Sequence, residues 1–184
     1  MRRTRALLVL VGFVAAVVVT ATLVVGERTD PAPATPQHQP GDADHDLRGP
    51  QPEGAAPQLA AEQALTAMFS WQPAADATSG AALTRARAWL TGELARAASG
   101  APASGVREPP QWSAWRRSED VISASARADV VSDCRADQCT VTTTVTQIVL
   151  HRDGTTTPYR TLTISAFTAS TEHGWRLADY RVTA

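Results

Sequence analysis

Apolar residues recur along this chain with two different periods. In QLAAEQALTAMFSW, Ala61, Ala64, Leu65, Met68 and Phe69 fall at helical spacing. That predicts a helix with one stripe on a core and with Glu62, Gln63 and Thr66 facing water. GAALTRARAWLTGELARAA carries a second stripe, Leu83, Ala86, Leu90, Leu94 and Ala97, with Arg85, Arg87 and Arg96 mostly off it. Thr91-Gly92 interrupts this run, and Thr91 is expected to cap a short following helix. The intervening WQPAADATS reads as a loop.

Past Ser99-Gly100-Ala101-Pro102 the period becomes two. In DVISASARADVV, Ile122, Ala124, Ala126, Ala128 and Val130 are expected on one face, opposite Ser123, Ser125, Arg127 and Asp129. CTVTTTVTQIVLH is rich in β-branched residues, and Asp153-Gly154 marks a turn before TTTPYRTLTISAFTA, where Leu162, Ile164 and Ala166 alternate with Thr161, Thr163 and Ser165. GWRLADYRVTA keeps Trp175 and Leu177 in one phase but Ala178, Tyr180 and Val182 in the other, so a bulge is expected near Leu177 and Ala178. QWSAW, with Trp112 and Trp115, is expected to enter the sheet or cover its edge. Helices followed by strands joined by tight turns predict an α+β domain over residues 58–184, with two or three helices packed on a curved antiparallel sheet. No internal repeat is visible.

The first residues follow neither rhythm. Arg2, Arg3 and Arg5 form a basic tail, residues 1–5, before the uncharged run ALLVLVGFVAAVVVTATLVV at residues 6–25. That run has about the ~20 residues a helix needs to cross a bilayer. It exceeds the ordinary apolar stretch of a signal peptide, and Leu23-Val24-Val25-Gly26 offers no clear small-residue cleavage site. An uncleaved transmembrane anchor is therefore expected. Arginines before the run, and mixed signs at Glu27, Arg28 and Asp30 after it, place the N-terminus in the cytoplasm and the rest of the chain outside.

Residues 26–57 are rich in Pro, Gly, Asp and Ala and nearly lack large apolar side chains, so they are expected to form a disordered linker stiffened by proline. Asp42, Asp44, Asp46 and Glu53 match part of a calcium-loop pattern, but Leu47 occupies the glycine position and prolines interrupt the loop. Calcium binding is not expected there, and His38 and His45 are read as solvated.

The chain has two cysteines, Cys134 and Cys139, in CRADQC. Outside the membrane a disulfide is permitted. A zinc site lacks its other ligands, and the spacing is not that of a C-x-x-C redox pair. A staple across a hairpin is expected, with two free buried thiols as the alternative. Formal net charge is −1, and every basic side chain apart from histidine is arginine, with no clustered basic face of the kind nucleic acid requires. Abundant alanine and arginine without lysine suit a GC-rich bacterial genome.

Phe69-Ser70-Trp71, the Arg-Ala-Arg-Ala-Trp-Leu-Thr stretch ending at Trp89-Leu90-Thr91, and Gly174-Trp175-Arg176 in a terminal GWRLADYRV resemble the cone-shaped nuclear-transport-factor-like fold over roughly the last two thirds of the chain. Behind a single N-terminal anchor, such a domain is similar to the inner-membrane assembly subunit of conjugation and type IV secretion machines. It is similar also to actinobacterial membrane proteins associated with mammalian-cell-entry transporters. The resemblance implies a protein-contact module, with membrane-complex subunits as partners and possible self-association, and it identifies no catalytic residue or cofactor.

The same fold hosts pocket enzymes, so the fold alone decides nothing. Such enzymes need an acid or base aimed into the cone. The expected inward positions Ile122, Ala124, Ala126, Ala128, Leu162, Ile164 and Ala166 cannot move a proton. Asp129 and Arg127 lie opposite, Asp179 turns inward only if the last strand keeps the phase of Trp175, and His151 and His173 sit beside turns. Tyr159 and Tyr180 are candidate pocket hydroxyls or ordinary sheet aromatics. Familiar nucleotide, hydrolase and metalloprotease motifs are absent from the sequence. Among the 5 tryptophans, Trp71, Trp112 and Trp115 are the candidate contact residues, although most tryptophans are expected in the core. The leading expectation is a non-enzymatic bitopic scaffold in a conjugation-like secretion apparatus. The alternatives are an accessory subunit of a lipid or sterol importer, and a pocket enzyme or small-ligand binder.

Overall fold

Strands β1 (Val121–Ser132), β2 (Gln138–Leu150), β3 (Thr156–Thr171) and β4 (Gly174–Val182) form an antiparallel meander in the order β1-β2-β3-β4. Helices α1 (Pro57–Phe69), α2 (Ala81–Arg85), a 3-10 turn (Arg87–Trp89), α3 (Gly92–Ser99) and α4 (Trp112–Ser118) complete an α+β domain. This is a computed structural model, and it describes residues 49–100 and 108–184. The expected basic tail with Arg2, Arg3 and Arg5, the expected membrane helix at 6–25 and most of the expected linker lie outside the described residues. Among the described residues, no helix is long and apolar enough to cross a membrane.

Alanine lets α1 approach the sheet. Ala60, Ala61, Ala64 and Leu65 are fully buried, and Pro57 starts the helix at a position where its missing N–H costs nothing. Leu65 meets a core containing Ile122, Val141, Val145, Ile164 and Leu177, each at 0% exposure. Burial of each such side chain is worth about 1.5–3 kcal/mol.

The polar side of α1 does not face water as expected. Glu62 Oε1, Thr66 Oγ1 and Ser70 Oγ accept hydrogen bonds from the amides of Ala128, Ala126 and Ala124 at 2.8, 3.1 and 3.1 Å. Trp71 then pairs with Ile122 in both directions, at 2.8 and 2.9 Å. β1 is an edge strand, and these contacts occupy the alternate amides that β2 leaves unpaired.

Each strand pair carries one register shift, which bends the sheet. The first, at Asp129, corrects the expected phase: Ile122 to Ala128 point inward, but Val130 turns out and is 57% exposed. The second lies at Tyr159, beside Pro158, which cannot donate to a ladder. The third, at Ala178, falls where the conflicting phases of the last strand predict a bulge. Three smaller corrections concern the helices. QWSAW contributes α4 rather than strand. The Thr91 side chain makes no capping bond, and its amide instead donates to Leu177 O at 2.9 Å. Helix restarts at Gly92, so the phase slips and Ala98 is buried in place of Ala97.

The folded domain also begins before Gln58. Ala55, within the expected linker, is 4% exposed and bridges Gly174, while Gly54 N donates to His173 O at 3.0 Å. Gly174 has φ +108, and a Cβ there would lie 2.7 Å from Ala55 N, so both conformation and space demand glycine. Arg176 Nη1 donates to Pro52 O at 2.7 Å and anchors the segment further. The linker composition hides this because the docking uses backbone atoms and one alanine.

Candidate functional site

Between the helices and one end of the sheet lies a groove of about 520 Å³. Its walls come from Met68, Phe69, Trp71, Leu83 and Leu94, its sheet side from Tyr159, Arg160 and Tyr180, and its rim from Ser79, Gly80 and Glu108–Pro110. The bulge at Tyr159 lets two consecutive residues, Tyr159 and Arg160, both reach this space.

Arg160 is the fixed charge in the groove. Its Nε donates to Gln147 Oε1 at 2.5 Å, and Gln147 Nε2 donates to Phe69 O at 2.5 Å. Gln147 is 1% exposed, so a buried amide orients the guanidinium and satisfies the last carbonyl of α1. The guanidinium carbon lies 5.4 Å from the Trp71 ring centroid and 5.1 Å from that of Tyr159. Its Nη groups make no hydrogen bond and no ion pair among the described residues. Tyr180 meets Phe69 edge-on at 5.9 Å, and burial, followed by the charge of Asp179, pushes its phenol pKa upward.

A second cluster ties strand ends together. His151 Nδ1 lies 3.0 Å from Asp120 Oδ1, its Nε2 lies 2.8 Å from Thr157 Oγ1, and Ser118 Oγ donates to Asp120 Oδ2 at 2.7 Å. A hydroxyl, an imidazole and a carboxylate in line have the connectivity of a nucleophile triad. Here they join the start of β1, the end of β2 and the start of β3, and none of them lines the groove. They act as a clasp on the hairpin. A third cluster shapes the 72–78 loop: Arg85 forks onto the buried Asp76 at 2.5 and 3.0 Å, and Arg116 Nε donates to Pro73 O at 2.8 Å.

The expected contact residues Trp71, Trp112 and Trp115 are 6, 2 and 7% exposed. Their rings build the core through edge contacts, Trp71 with Trp112 at 6.2 Å and Trp115 with Tyr159 at 5.0 Å. Only Trp71 also touches the groove. Cys134 and Cys139 are bonded across the β1–β2 hairpin, with Cα atoms 4.1 Å apart. Beside them lies a smaller depression of about 350 Å³, lined mainly by the polar hairpin and Phe167. Asp129 accepts from Thr144 Oγ1 at 2.6 Å, and Asp179 from its neighbour Tyr180 N at 2.8 Å, both away from the groove. Among the described residues, no group of three or more His, Cys, Asp or Glu is placed to hold a metal ion.

Arg160 and Gln147 are the site residues that sequence reasoning passed over. Their signal was phase: Arg160 continues the inward series Leu162, Ile164, Ala166, and Gln147 the series Val141, Thr143, Val145. No protein-family model matches this chain, and no curated protein is significantly similar to it. Among solved structures, the intermembrane space region of the chloroplast protein ARC6 is similar over 52% of this chain and 72% of that chain, at 14% identity and a TM-score of 0.32.

Proposed function

We propose that this chain is a single-pass membrane protein whose cone-shaped, nuclear-transport-factor-like domain stands outside the membrane and works as a non-enzymatic binding module. Its place is in a conjugation or type IV-like secretion apparatus, where it holds other membrane-complex subunits through its groove. The observation that supports this reading is the chemistry of that groove. Its central polar groups are an arginine, which keeps its proton at any physiological pH, and a tyrosine whose phenol is pushed above its ordinary value of 10.0. Neither exchanges a proton near neutrality, and Glu108 stands on the exposed rim, which favours recognition over acid-base chemistry. An anchor at 6–25 would raise the local concentration of the domain among membrane partners, making weak contacts sufficient.

The apolar walls also favour a second reading, an accessory subunit of a lipid or sterol importer. One experiment addresses both: a photo-crosslinking residue at position 83, on the groove wall, in intact cells, followed by identification of the captured molecules. Secretion-machine subunits support the first reading and transporter permeases the second. In the same cells, His151→Ala, Asp129→Ala and Asp179→Ala should each leave function within about twofold of wild type. Loss of function in one of them, in a folded and membrane-bound protein, would overturn the binding-module reading in favour of catalysis.

A further inference from the structure

We infer that the groove takes a carboxylate carried on a flat, apolar ring body, with Arg160 as the residue that holds the carboxylate. This rests on the reading of the groove as a recognition site and names its ligand class.

Arg160 is held by Gln147 through Nε alone, which leaves the two Nη groups without a hydrogen-bond partner among the described residues, a pair suited to a planar, bidentate acceptor. No carboxylate among the described residues pairs with it. Glu108, the acidic residue on the groove, is an exposed rim residue whose charge water screens. Cation–π contacts with the Trp71 and Tyr159 rings further hold the guanidinium in place. An acceptor arriving there meets a preorganised fork and loses little entropy.

The shape of the groove selects the rest of the ligand. A space of about 520 Å³ lies within the ~300–1,000 Å³ typical of small-molecule sites. Phe69, Trp71, Tyr159 and Tyr180 offer ring edges and faces, which favour a rigid ring over a flexible chain because ring pairs add directional attraction to burial. Leu83 and Leu94 are half-buried and leave apolar surface on the opposite wall.

The test uses the full-length chain in lipid nanodiscs, titrated with naphthoate, with uncharged naphthamide and with laurate, against empty nanodiscs. Naphthoate should bind, naphthamide at least about tenfold more weakly, and laurate more weakly than naphthoate. Arg160→Gln should erase the preference for acid over amide. Because that variant also disturbs Gln147, Leu83→Glu serves as the second: it leaves Arg160 in place, removes apolar wall from both ligands, and should weaken naphthoate about tenfold more than naphthamide through the added repulsion. Equal binding of acid and amide, a preserved preference in folded Arg160→Gln, or laurate binding tighter than naphthoate would each overturn the assignment. Those outcomes leave the crosslinking test untouched, so the ligand class can fail while the binding-module reading stands.

Discussion

Glu62 Oε1 accepts the amide hydrogen of Ala128 at 2.8 Å, from a helix position 66 residues earlier in the chain. With Thr66 on Ala126 and Ser70 on Ala124, it forms a ladder of side chains along an edge strand. Helical spacing of four places successive oxygens about 6.0 Å apart along the axis, and alternate strand amides repeat at about 6.8 Å, close enough for three successive matches. An uncovered edge invites pairing with other chains, and this one is covered by its own helix.

Thr66→Ala therefore leaves the Ala126 amide without its partner. Stability should fall by about 1–3 kcal/mol, the cost of an unsatisfied, partly buried donor. Hydrogen exchange should accelerate at Ala126 more than at the neighbouring inward amides, Ala124 and Ala128. Uniform exchange across β1 would show that the ladder does not protect the edge.

The Cys134–Cys139 bond closes a loop with a sequence separation of 5, so the chain-entropy model assigns it only about 2 kcal/mol. The hairpin has other support: Arg135 N donates to Gln138 O at 2.7 Å, and Ser170 N donates to Asp137 O at 2.8 Å. A Cys134→Ser, Cys139→Ser double variant should stay folded, with its urea midpoint lowered in proportion to that loss and its m-value unchanged. Failure to fold would give the bond a larger part than its loop length predicts.

How far the sequence disclosed the structure depended on whether a residue's role was local. The phases of Ile122 to Ala128 and of Leu162 to Ala166 followed from alternation, because burial on one face of a sheet is written into period two. The bulge at Ala178 was visible as a clash of phases. The bulge at Asp129 left no such trace, because Val130 and Val131 are both apolar and either could turn inward. Glu62 and Thr66 looked like a solvated face because their partners are backbone amides 66 and 60 residues away, which no local pattern encodes. The same holds for Arg160. Its inward phase was readable, but its meaning depended on Gln147 and on the aromatic rings that other elements bring to it.

Tyr180 makes a distinct prediction about alkaline pH. Burial first, and the negative charge of Asp179 second, raise its pKa above 10.0 in the folded chain, while in the unfolded chain it ionises at the ordinary value. Below that value both states carry the neutral phenol, and Tyr180 contributes nothing to pH dependence. As pH climbs past about 10, the unfolded state releases its proton first, so stability declines until the folded phenol ionises as well. Urea unfolding of wild type between about pH 9 and 11 should show this decline, and Tyr180→Phe should reduce it while keeping the edge contact with Phe69. Asp179→Asn should narrow the window from its upper side, by removing the secondary cause and lowering the folded pKa. Identical alkaline slopes in wild type and Tyr180→Phe would mean that the phenol is as well solvated in the groove as in the unfolded chain. The groove would then be wetter, and less able to strengthen a charge on Arg160, than its aromatic walls imply.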